Sequence, residues 1–457
     1  MQQLAGAAQR PLPPAAQGAD STPPDRGALR VRRGLPLPPA RARGRPARTP
    51  ADRERAARRG QLVSDKSPLE RLLNEKQILI CCGSGGVGKT TTSASLALAA
   101  AVLGKKAVVC TIDPARRLAN SLGLTELNND LVQVSAERFE AAGFAPKGSL
   151  HALMLDTKGT FDKLIGRYAT SDEARETIFN NRFYQQMSST VVGSSDYMAM
   201  EKLYELHEEG DFDLIVLDTP PTKHAIDFLQ APKRMSEAFD RSTLEIFLKP
   251  WAETSKRSFG FLGRALNRIV KKVDSLLGLK FVEDLADFFR AFDGMYDGFR
   301  GRAQRVDSLL RESFTSFCVV TSPQPLALEE ATYFCDRLRE FSMPLDAVIV
   351  NRVHTSSLTA LDERARLRTR LHEPGPTQLL AAAREAGAGA PPQLEALLKA
   401  FLDHELLAAG DHTRIESLRQ GSAEGLVVHE VPSSSKDIHD LSGLRWVVDQ
   451  LLRAEPL

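Results

Sequence analysis

The chain has 457 residues, a net charge of +2 and a hydrophobic fraction of 42%. A chain of this length and composition is neither a peptide hormone nor a disulfide-stapled mini-domain, and it can bury a globular core. It contains no run of about 18 uncharged apolar residues, so the sequence predicts no transmembrane segment. Its five cysteines include no Cys-x-x-Cys pair. This cysteine usage is typical of a reducing compartment, and we expect a cytoplasmic protein.

The charge is unevenly distributed along the chain. Residues 1–60 contain 13 Arg and 4 acidic residues, a net charge of +9, which leaves −7 for the remainder. Because an acidic body does not favour phosphate-driven binding, we expect no nucleic-acid partner. Residues 1–66 are rich in Pro, Ala, Gly and Arg and are predicted to be a disordered tail. The tail could bind anionic surfaces, act as a transit peptide or act as a linker. We favour a fourth explanation, a GC-rich coding context or a start codon placed too far upstream.

From residue 67 onward, continuous apolar runs alternate with amphipathic helical stretches. Such runs are typical of strands covered on both faces. They lie at residues 77–82, 107–110, 214–217, 317–320, 347–350 and 426–431. The alternation predicts one α/β domain over residues 67–457, with a doubly wound, mostly parallel sheet.

Two longer segments are helical in pattern and fall outside this alternation. Residues 233–312 are rich in Phe and are predicted to be an inserted α-helical subdomain. Residues 355–424 form a second helical segment, which GAGAPP interrupts.

The strongest motif is GSGGVGKT, from Gly83 to Thr90, between an apolar strand and an apolar helix. It matches G-x-x-x-x-G-K-S/T in the strand–loop–helix context that a P-loop requires. The glycines allow main-chain amides to approach a phosphate at the helix N-terminus. Lys89 is predicted to reach the β- and γ-phosphates, Thr90 a Mg²⁺ ion and Thr91 the α-phosphate. The other predicted nucleotide-binding residues are Gly83, Ser84, Gly85, Gly86, Val87 and Gly88.

Two acidic residues follow predicted strands. Asp218, after LIVL, is the candidate acid that holds the metal's water shell in a P-loop protein. Taken alone, it would be interpreted as a turn-former before Pro220 and Pro221. Asp113, in TIDPARR, has the pattern of a helix N-cap. An N-cap there also faces the ligand crevice of an open sheet, so a role in positioning water is compatible with capping.

Together these motifs resemble those of the arsenical-pump and guided-entry ATPases, a family of P-loop NTPases with a deviant phosphate loop. The similar stretches are GSGGVGKTT, TIDPA, DTPPTKHAIDFL, AVIVNRV and VVHEVPSSSKDIHDLSGL. The resemblance implies Mg²⁺-dependent ATP hydrolysis in a homodimer, with ATP and Mg²⁺ as cofactors and Lys89, Asp113 and Asp218 as catalytic residues. It also implies that Asn351 contacts the adenine, that Pro432 lies near the base and that a His in the second switch, here His224, relays nucleotide state.

The sequence departs from the family pattern in three respects. Ser84 stands where the family's loop carries a lysine that acts on the partner's nucleotide, so we hypothesise that Arg116 or Arg117 supplies that charge. Lys223 replaces a glycine in the second switch. Arsenite-binding and zinc-binding cysteines are also missing, which argues against an arsenite pump subunit; Cys81, Cys82 and Cys110 fall in predicted strands and are interpreted as small core residues.

The Phe-rich segment leaves two interpretations open. Its apolar side chains either pack in the core, which their periodicity favours, or line a groove for a hydrophobic protein client. For the whole chain, the alternatives to a switching ATPase are a MinD/ParA-type positioning ATPase and an ATP-binding chaperone or scaffold with little hydrolysis. The apolar set is Leu277, Leu279, Phe281, Leu285, Phe288, Phe289, Phe292, Met295 and Phe299.

Overall fold

The structure is a computed structural model. It describes residues 67–112, 117–124, 126–182, 184–185, 194–219, 225–238, 284, 287–288, 290–373, 375–387, 392–422 and 425–453. The predicted tail, residues 1–66, lies outside the described residues.

The described strands form one eight-stranded sheet in the order β3-β4-β2-β5-β1-β6-β7-β8. Every neighbouring pair is parallel except β3 and β4. The central strand β1 therefore lies between β5 and β6, and its carboxyl end lies beside theirs. The strands are β1 Ile78–Cys82, β2 Lys106–Thr111, β3 Val132–Gln133, β4 Ser149–Met154, β5 Leu214–Asp218, β6 Thr315–Thr321, β7 Leu345–Val353 and β8 Val427–Pro432.

Helices connect the strands, and several begin at a polar side chain that caps them. Ser67, Ser171 and Asp440 each accept a hydrogen bond from the amide three residues further on, which satisfies a donor at the helix N-terminus. The described helices are α1 Pro68–Glu75, α2 Lys89–Val102, α3 Arg117–Ser121, α4 Ala136–Ala141, α5 Thr157–Tyr168, α6 Asp172–Asn180, α7 Ser194–Glu209, α8 Ala225–Ala238, α9 Tyr296–Leu309, α10 Pro325–Glu340, α11 Leu361–His372, α12 Pro376–Ala386, α13 Pro392–Gln420 and α14 Leu441–Leu451.

The sheet has an apolar core on each face. Along β1, Ile78 and Ile80 belong to one core, with side chains of α5, α7, α9 and α10. Leu79 and Cys81 belong to the other core, with side chains of α1, α2 and α14. A strand covered on both faces must be apolar at every position, which explains the continuous apolar run. The predicted doubly wound α/β fold is confirmed.

All six apolar runs form strands, but the sequence analysis missed β3 and β4. β4 pairs with β2 from Lys106 to Thr111, and the short β3 runs antiparallel along its outer side. The β4 sequence SLHALM includes Ser149 and a half-buried His151, because β4 lies near the edge of the sheet, where its partner β3 covers only two positions. Polar residues are tolerated there, so the β4 sequence lacks the continuous apolar run by which the other strands were predicted.

The described parts of the Phe-rich segment include the end of α8, a 3₁₀ turn at Asp293–Met295, α9 and several residues just before that turn. Phe288, Phe292, Met295 and Phe299 are at most 1% exposed and belong to the same core as α5 and α7. These four side chains therefore pack in the core, as their periodicity favours. The other five members of the apolar set lie outside the described residues: Leu277, Leu279, Phe281, Leu285 and Phe289.

The second helical segment contains α11, α12 and α13, with GAGAPP between α12 and α13. A small apolar cluster around Leu371, Leu402 and Ala409 joins these helices. Among the residues that the structure describes, no helix combines the length and the apolar character needed to cross a bilayer.

Candidate nucleotide site at the carboxyl end of the sheet

Two glycines shape the loop between β1 and α2, because a side chain at either position would be strained and would clash with a neighbouring strand. Gly83 has a φ of +147°, and a Cβ atom there would lie 2.0 Å from the main-chain oxygen of Val320 on β6. Gly88 has a φ of +93° and is the N-cap of α2. A Cβ atom on Gly88 would lie 2.3 Å from Nδ2 of Asn351. The loop therefore packs directly against the ends of β6 and β7.

Lys89 begins α2 and folds back over the loop. Its side chain is buried, and its Nζ donates a hydrogen bond to the main-chain oxygen of Ser84 at 2.7 Å. The ammonium is thus held beside the loop backbone, where a phosphate oxygen can take over its hydrogen bond. The next residues in the first turn, Thr90 and Thr91, are half-buried.

Asp218 ends β5, is 1% exposed and accepts hydrogen bonds from three hydroxyl groups. Thr90 and Thr111 donate to its Oδ2 at 2.8 and 2.9 Å, and Ser93 donates to its Oδ1 at 3.3 Å. Burial raises the pKa of Asp218, and these hydroxyls together with the Lys89 ammonium oppose that effect. The carboxylate is therefore tied to the loop helix through Thr90.

Two hydroxyl residues that donate to Asp218, and a third directly after it, were not predicted from the sequence. Thr111 is the last residue of β2 and stands directly opposite Asp218 in the β2–β5 register. Ser93 lies one helical turn after Thr90, on the same face of α2. Thr219 donates to the main-chain oxygen of Cys81 at 2.8 Å, which ties the residue after Asp218 to β1. Their sequence signals were the run of Thr and Ser after the loop, the Thr at the end of β2 and the Thr directly after Asp218.

Asn351 lies near the end of β7 and contacts the loop. Its Nδ2 donates to the main-chain oxygen of Val87 at 2.8 Å, and its Oδ1 accepts from the Arg352 amide at 3.0 Å. Pro432 is the last residue of β8 and pairs with Val353 of β7. The two residues that the resemblance assigns to the base therefore stand on neighbouring strands, and Asn351 contacts the loop.

The remaining predicted residues are not all placed. Asp113, Arg116, Lys223 and His224 lie outside the described residues, and their roles stay predictions. Arg117 is described as the exposed first residue of α3.

Two buried acids on α13 anchor the loop that follows β7. Asp411 accepts the main-chain amide of His354 at 3.0 Å and contacts the Nδ1 of the same residue at 2.7 Å. Glu405 accepts the Ser357 amide at 2.6 Å and the Ser356 hydroxyl at 2.7 Å. These contacts place the second helical segment beside the strand that carries Asn351.

The residues present fit a magnesium nucleotide. The Thr90 hydroxyl and the Asp218 carboxylate are hard oxygen donors 2.8 Å apart. Mg²⁺ is commonly held by one or two such protein groups together with substrate phosphates. The Ser84 Oγ is buried and has no hydrogen-bond partner among the described residues, and an anion in the loop would supply one. At Gly86, a Cβ atom would meet nothing within 4 Å, which leaves that side of the loop open.

The cysteines provide no ligand chemistry at this site. All five are buried and without a disulfide bond. Burial raises the pKa of Cys82 and, to about 12, that of Cys110. A thiol with a raised pKa is a poor metal ligand and nucleophile. All five cysteines belong to the apolar cores, as predicted for Cys81, Cys82 and Cys110.

The fold and the loop define the class of protein, a P-loop nucleotide-binding protein. The sequence model of the anion-transporting ATPase family matches residues 76–370, which is more than half of the chain. The chain belongs to this family and is an ATPase, and the resemblance inferred from its motifs is confirmed.

Relatives with two different names match this chain. The ATPase GET3 of Malassezia globosa is 24% identical over 296 residues, which cover 64% of this chain and 78% of the relative. The ATPase get3 of Aspergillus terreus is 26% identical over 289 residues, 62% of this chain and 76% of the relative. A protein of Aquifex aeolicus named putative arsenical pump-driving ATPase 1 is 26% identical over 283 residues, 61% of this chain and 63% of the relative.

Proposed function

We propose that the chain hydrolyses ATP with Mg²⁺ and that this cycle drives a conformational switch in a homodimer. The observation that carries the proposal is the hydrogen bond between Thr90 and Asp218. It joins the phosphate loop to the strand end that leads into the second switch. A change at the phosphates therefore reaches Asp218 directly.

The loop binds the triphosphate. Main-chain amides of the loop and of the first turn of α2 bind the phosphate oxygens, and the helix dipole adds roughly half a positive charge there. Lys89 exchanges its bond to Ser84 for a phosphate oxygen. Thr90 and Asp218 would hold Mg²⁺, which when bound neutralises charge on the β- and γ-phosphates. Asp113 orients the attacking water, and Arg116 or Arg117 supplies the charge that the family's loop lysine provides.

The switch runs from Asp218 to the helices. Thr219 is tied to Cys81, residues 220–224 follow outside the described part of the chain, and α8 begins at Ala225. α8 packs against α7 and α9. Because the connection from Asp218 to α8 is short, a displacement of Asp218 when the terminal phosphate leaves would shift α8 against those helices. His224 lies in this connection, in keeping with a role in relaying nucleotide state.

The cysteines concern the cellular compartment, and the Phe-rich core concerns a hydrophobic protein client. Five buried thiols without disulfide bonds support a reducing compartment, and we place the activity in the cytoplasm. A hydrophobic client stays a prediction that rests on the family resemblance, since the described Phe side chains pack in the core. If nucleotide-bound protein neither binds a hydrophobic peptide nor exposes more dye-binding surface than the apo protein, client handling is discarded.

A single-turnover hydrolysis assay with Mg²⁺, on the full chain, tests the ATPase cycle. The wild type is expected to release phosphate, whereas Lys89→Ala is expected to bind no nucleotide and Asp218→Asn to bind ATP without turning it over. Wild-type protein that binds ATP and releases no phosphate would be a scaffold. Sedimentation with a γ-phosphate mimic tests the homodimer, and a chain that stays monomeric with bound nucleotide contradicts it.

Hydrogen–deuterium exchange then tests the switch. We expect α7, α8 and α9 to differ in exchange between the ATP-bound and ADP-bound states. Identical exchange in these helices, with nucleotide shown to be bound, would contradict the proposed coupling.

A further inference from the structure

The amide of Asn351 is hydrogen-bonded to the phosphate loop. Its Nδ2 donates to the Val87 oxygen at 2.8 Å while its Oδ1 accepts the Arg352 amide at 3.0 Å. Since one partner is an acceptor and the other a donor, only one orientation of the amide satisfies both. The side chain is therefore a fixed bridge between β7 and the loop, across the end of β6.

The surrounding backbone is arranged for this bridge. Gly88 leaves the room that Nδ2 occupies, because a Cβ atom there would lie 2.3 Å away. Arg352 has a φ of +63°, an uncommon conformation for a residue with a side chain. The pairing of β7 with β8 also shifts register between Asn351 and Val353. Unfavourable backbone geometry at this point persists because the neighbouring contacts determine it.

The bridge determines how the loop presents an amide. The C=O and N–H of one trans peptide point in opposite directions. A hydrogen bond that fixes the Val87 oxygen therefore also fixes the direction of the Gly88 N–H. That N–H belongs to the loop's last peptide before α2, where a phosphate oxygen would be bound.

We infer that Asn351 is a positioning residue of the phosphate loop, in addition to any contact that it makes with the base. The inference rests on the proposed function. It says that Asn351 contributes to the affinity for the phosphates even when the ligand has no base. A side chain that contacts only the base would contribute nothing to the affinity for a ligand without a base.

Inorganic tripolyphosphate with Mg²⁺ separates the two roles, with ATP measured in parallel by calorimetry. In Asn351→Ala, both ligands are expected to bind roughly ten-fold more weakly, the usual effect of one lost hydrogen bond. Pro432→Ala, on the base side, is the control and is expected to weaken ATP alone. Tripolyphosphate bound by Asn351→Ala as tightly as by the wild type would overturn the inference. Wild-type protein that binds neither ligand would instead overturn the proposed function.

Kinetics and exchange give two further measurements. Loss of a base contact alone raises KM and leaves kcat unchanged, whereas a misplaced loop lowers kcat as well. We expect kcat to fall in Asn351→Ala. Asn351→Asp keeps the side-chain shape without the donor, and its loop amides 83–88 are expected to exchange faster than the wild type's in the absence of ligand. An unchanged kcat, or unchanged loop exchange in both variants, contradicts the inference.

Discussion

Replacing Thr111 with Val removes one of the hydroxyl groups that donate to Asp218 and keeps the shape of the side chain. The hydroxyl lies 2.9 Å from Oδ2, and Thr111 is buried. A hydrogen bond to a charged acceptor stabilises by about 1.5–3 kcal/mol, and one to a neutral acceptor by about 1 kcal/mol. Thr111→Val should therefore lower the free energy of unfolding by about 1.5–3 kcal/mol while Asp218 is ionised, and by about 1 kcal/mol once Asp218 is protonated.

The pH dependence follows from the pKa of Asp218. Burial raises that pKa above the ordinary value for an aspartate, so the folded chain binds this proton more tightly than the unfolded chain. The contribution of Asp218 to stability therefore falls as pH rises from its unfolded pKa through its folded pKa. Removing the Thr111 hydroxyl raises the folded pKa further. The difference in stability between wild type and Thr111→Val should consequently shrink as pH falls through this range.

Urea unfolding of the full chain, without nucleotide or Mg²⁺ and at several pH values, measures this difference. Thr315→Val is the matched control, because Thr315 is a buried threonine of β6 that donates to the neutral main-chain oxygen of Leu309 at 2.7 Å. Thr315→Val should lower the free energy of unfolding by about 1 kcal/mol at every pH. The reasoning is refuted if Thr111→Val shows the same pH-independent cost as Thr315→Val, or a cost that grows as pH falls.

Three further predictions concern the core and the loop. Arg302 and Glu201 form a buried ion pair, with side chains 6% and 5% exposed. Arg302→Leu should lower the free energy of unfolding, measured in urea, by about 3–5 kcal/mol, and adding Glu201→Leu should restore most of that loss. A loss of under about 1 kcal/mol in Arg302→Leu alone would contradict this. Gly88→Ala places a Cβ atom 2.3 Å from Nδ2 of Asn351 and should weaken ATP binding in calorimetry at least about ten-fold; wild-type affinity would show that the loop adapts. Burial lowers the pKa of His429, so the folded chain resists its protonation and loses stability as pH falls from the ordinary histidine value through the folded value. His429→Leu should reduce this loss, and an unchanged pH slope of the unfolding free energy would count against it.

The parts of the fold that sequence could predict are those encoded by neighbouring residues. The run at 77–82 is apolar at each position but the first because β1 is buried on both faces, and this pattern requires no knowledge of its partners. The loop likewise follows from local spacing, since Gly83 and Gly88 take backbone conformations that favour glycine. β4 was missed because its Ser and His residues conceal a strand near the edge of the sheet.

The unpredicted parts of the site depend on residues that are distant in the chain. Asn351 and Val87 are 264 positions apart, and Thr111 and Asp218 are 107 apart. Their contacts follow from strand order and register, which one sequence does not specify. Asp218 taken alone also fits a turn-former, and the phosphate loop favours the metal role; its three hydroxyl donors become visible only in the fold.

The central claim is that the loop from Gly83 to Thr90 binds the triphosphate of ATP. Calorimetric titration of the full chain with ATP and Mg²⁺, in parallel with Lys89→Ala, tests it most directly. We expect the wild type to bind one ATP per chain and Lys89→Ala to show no measurable binding. Wild-type protein that binds no purine triphosphate, or a Lys89→Ala variant that binds ATP equally well, would contradict it.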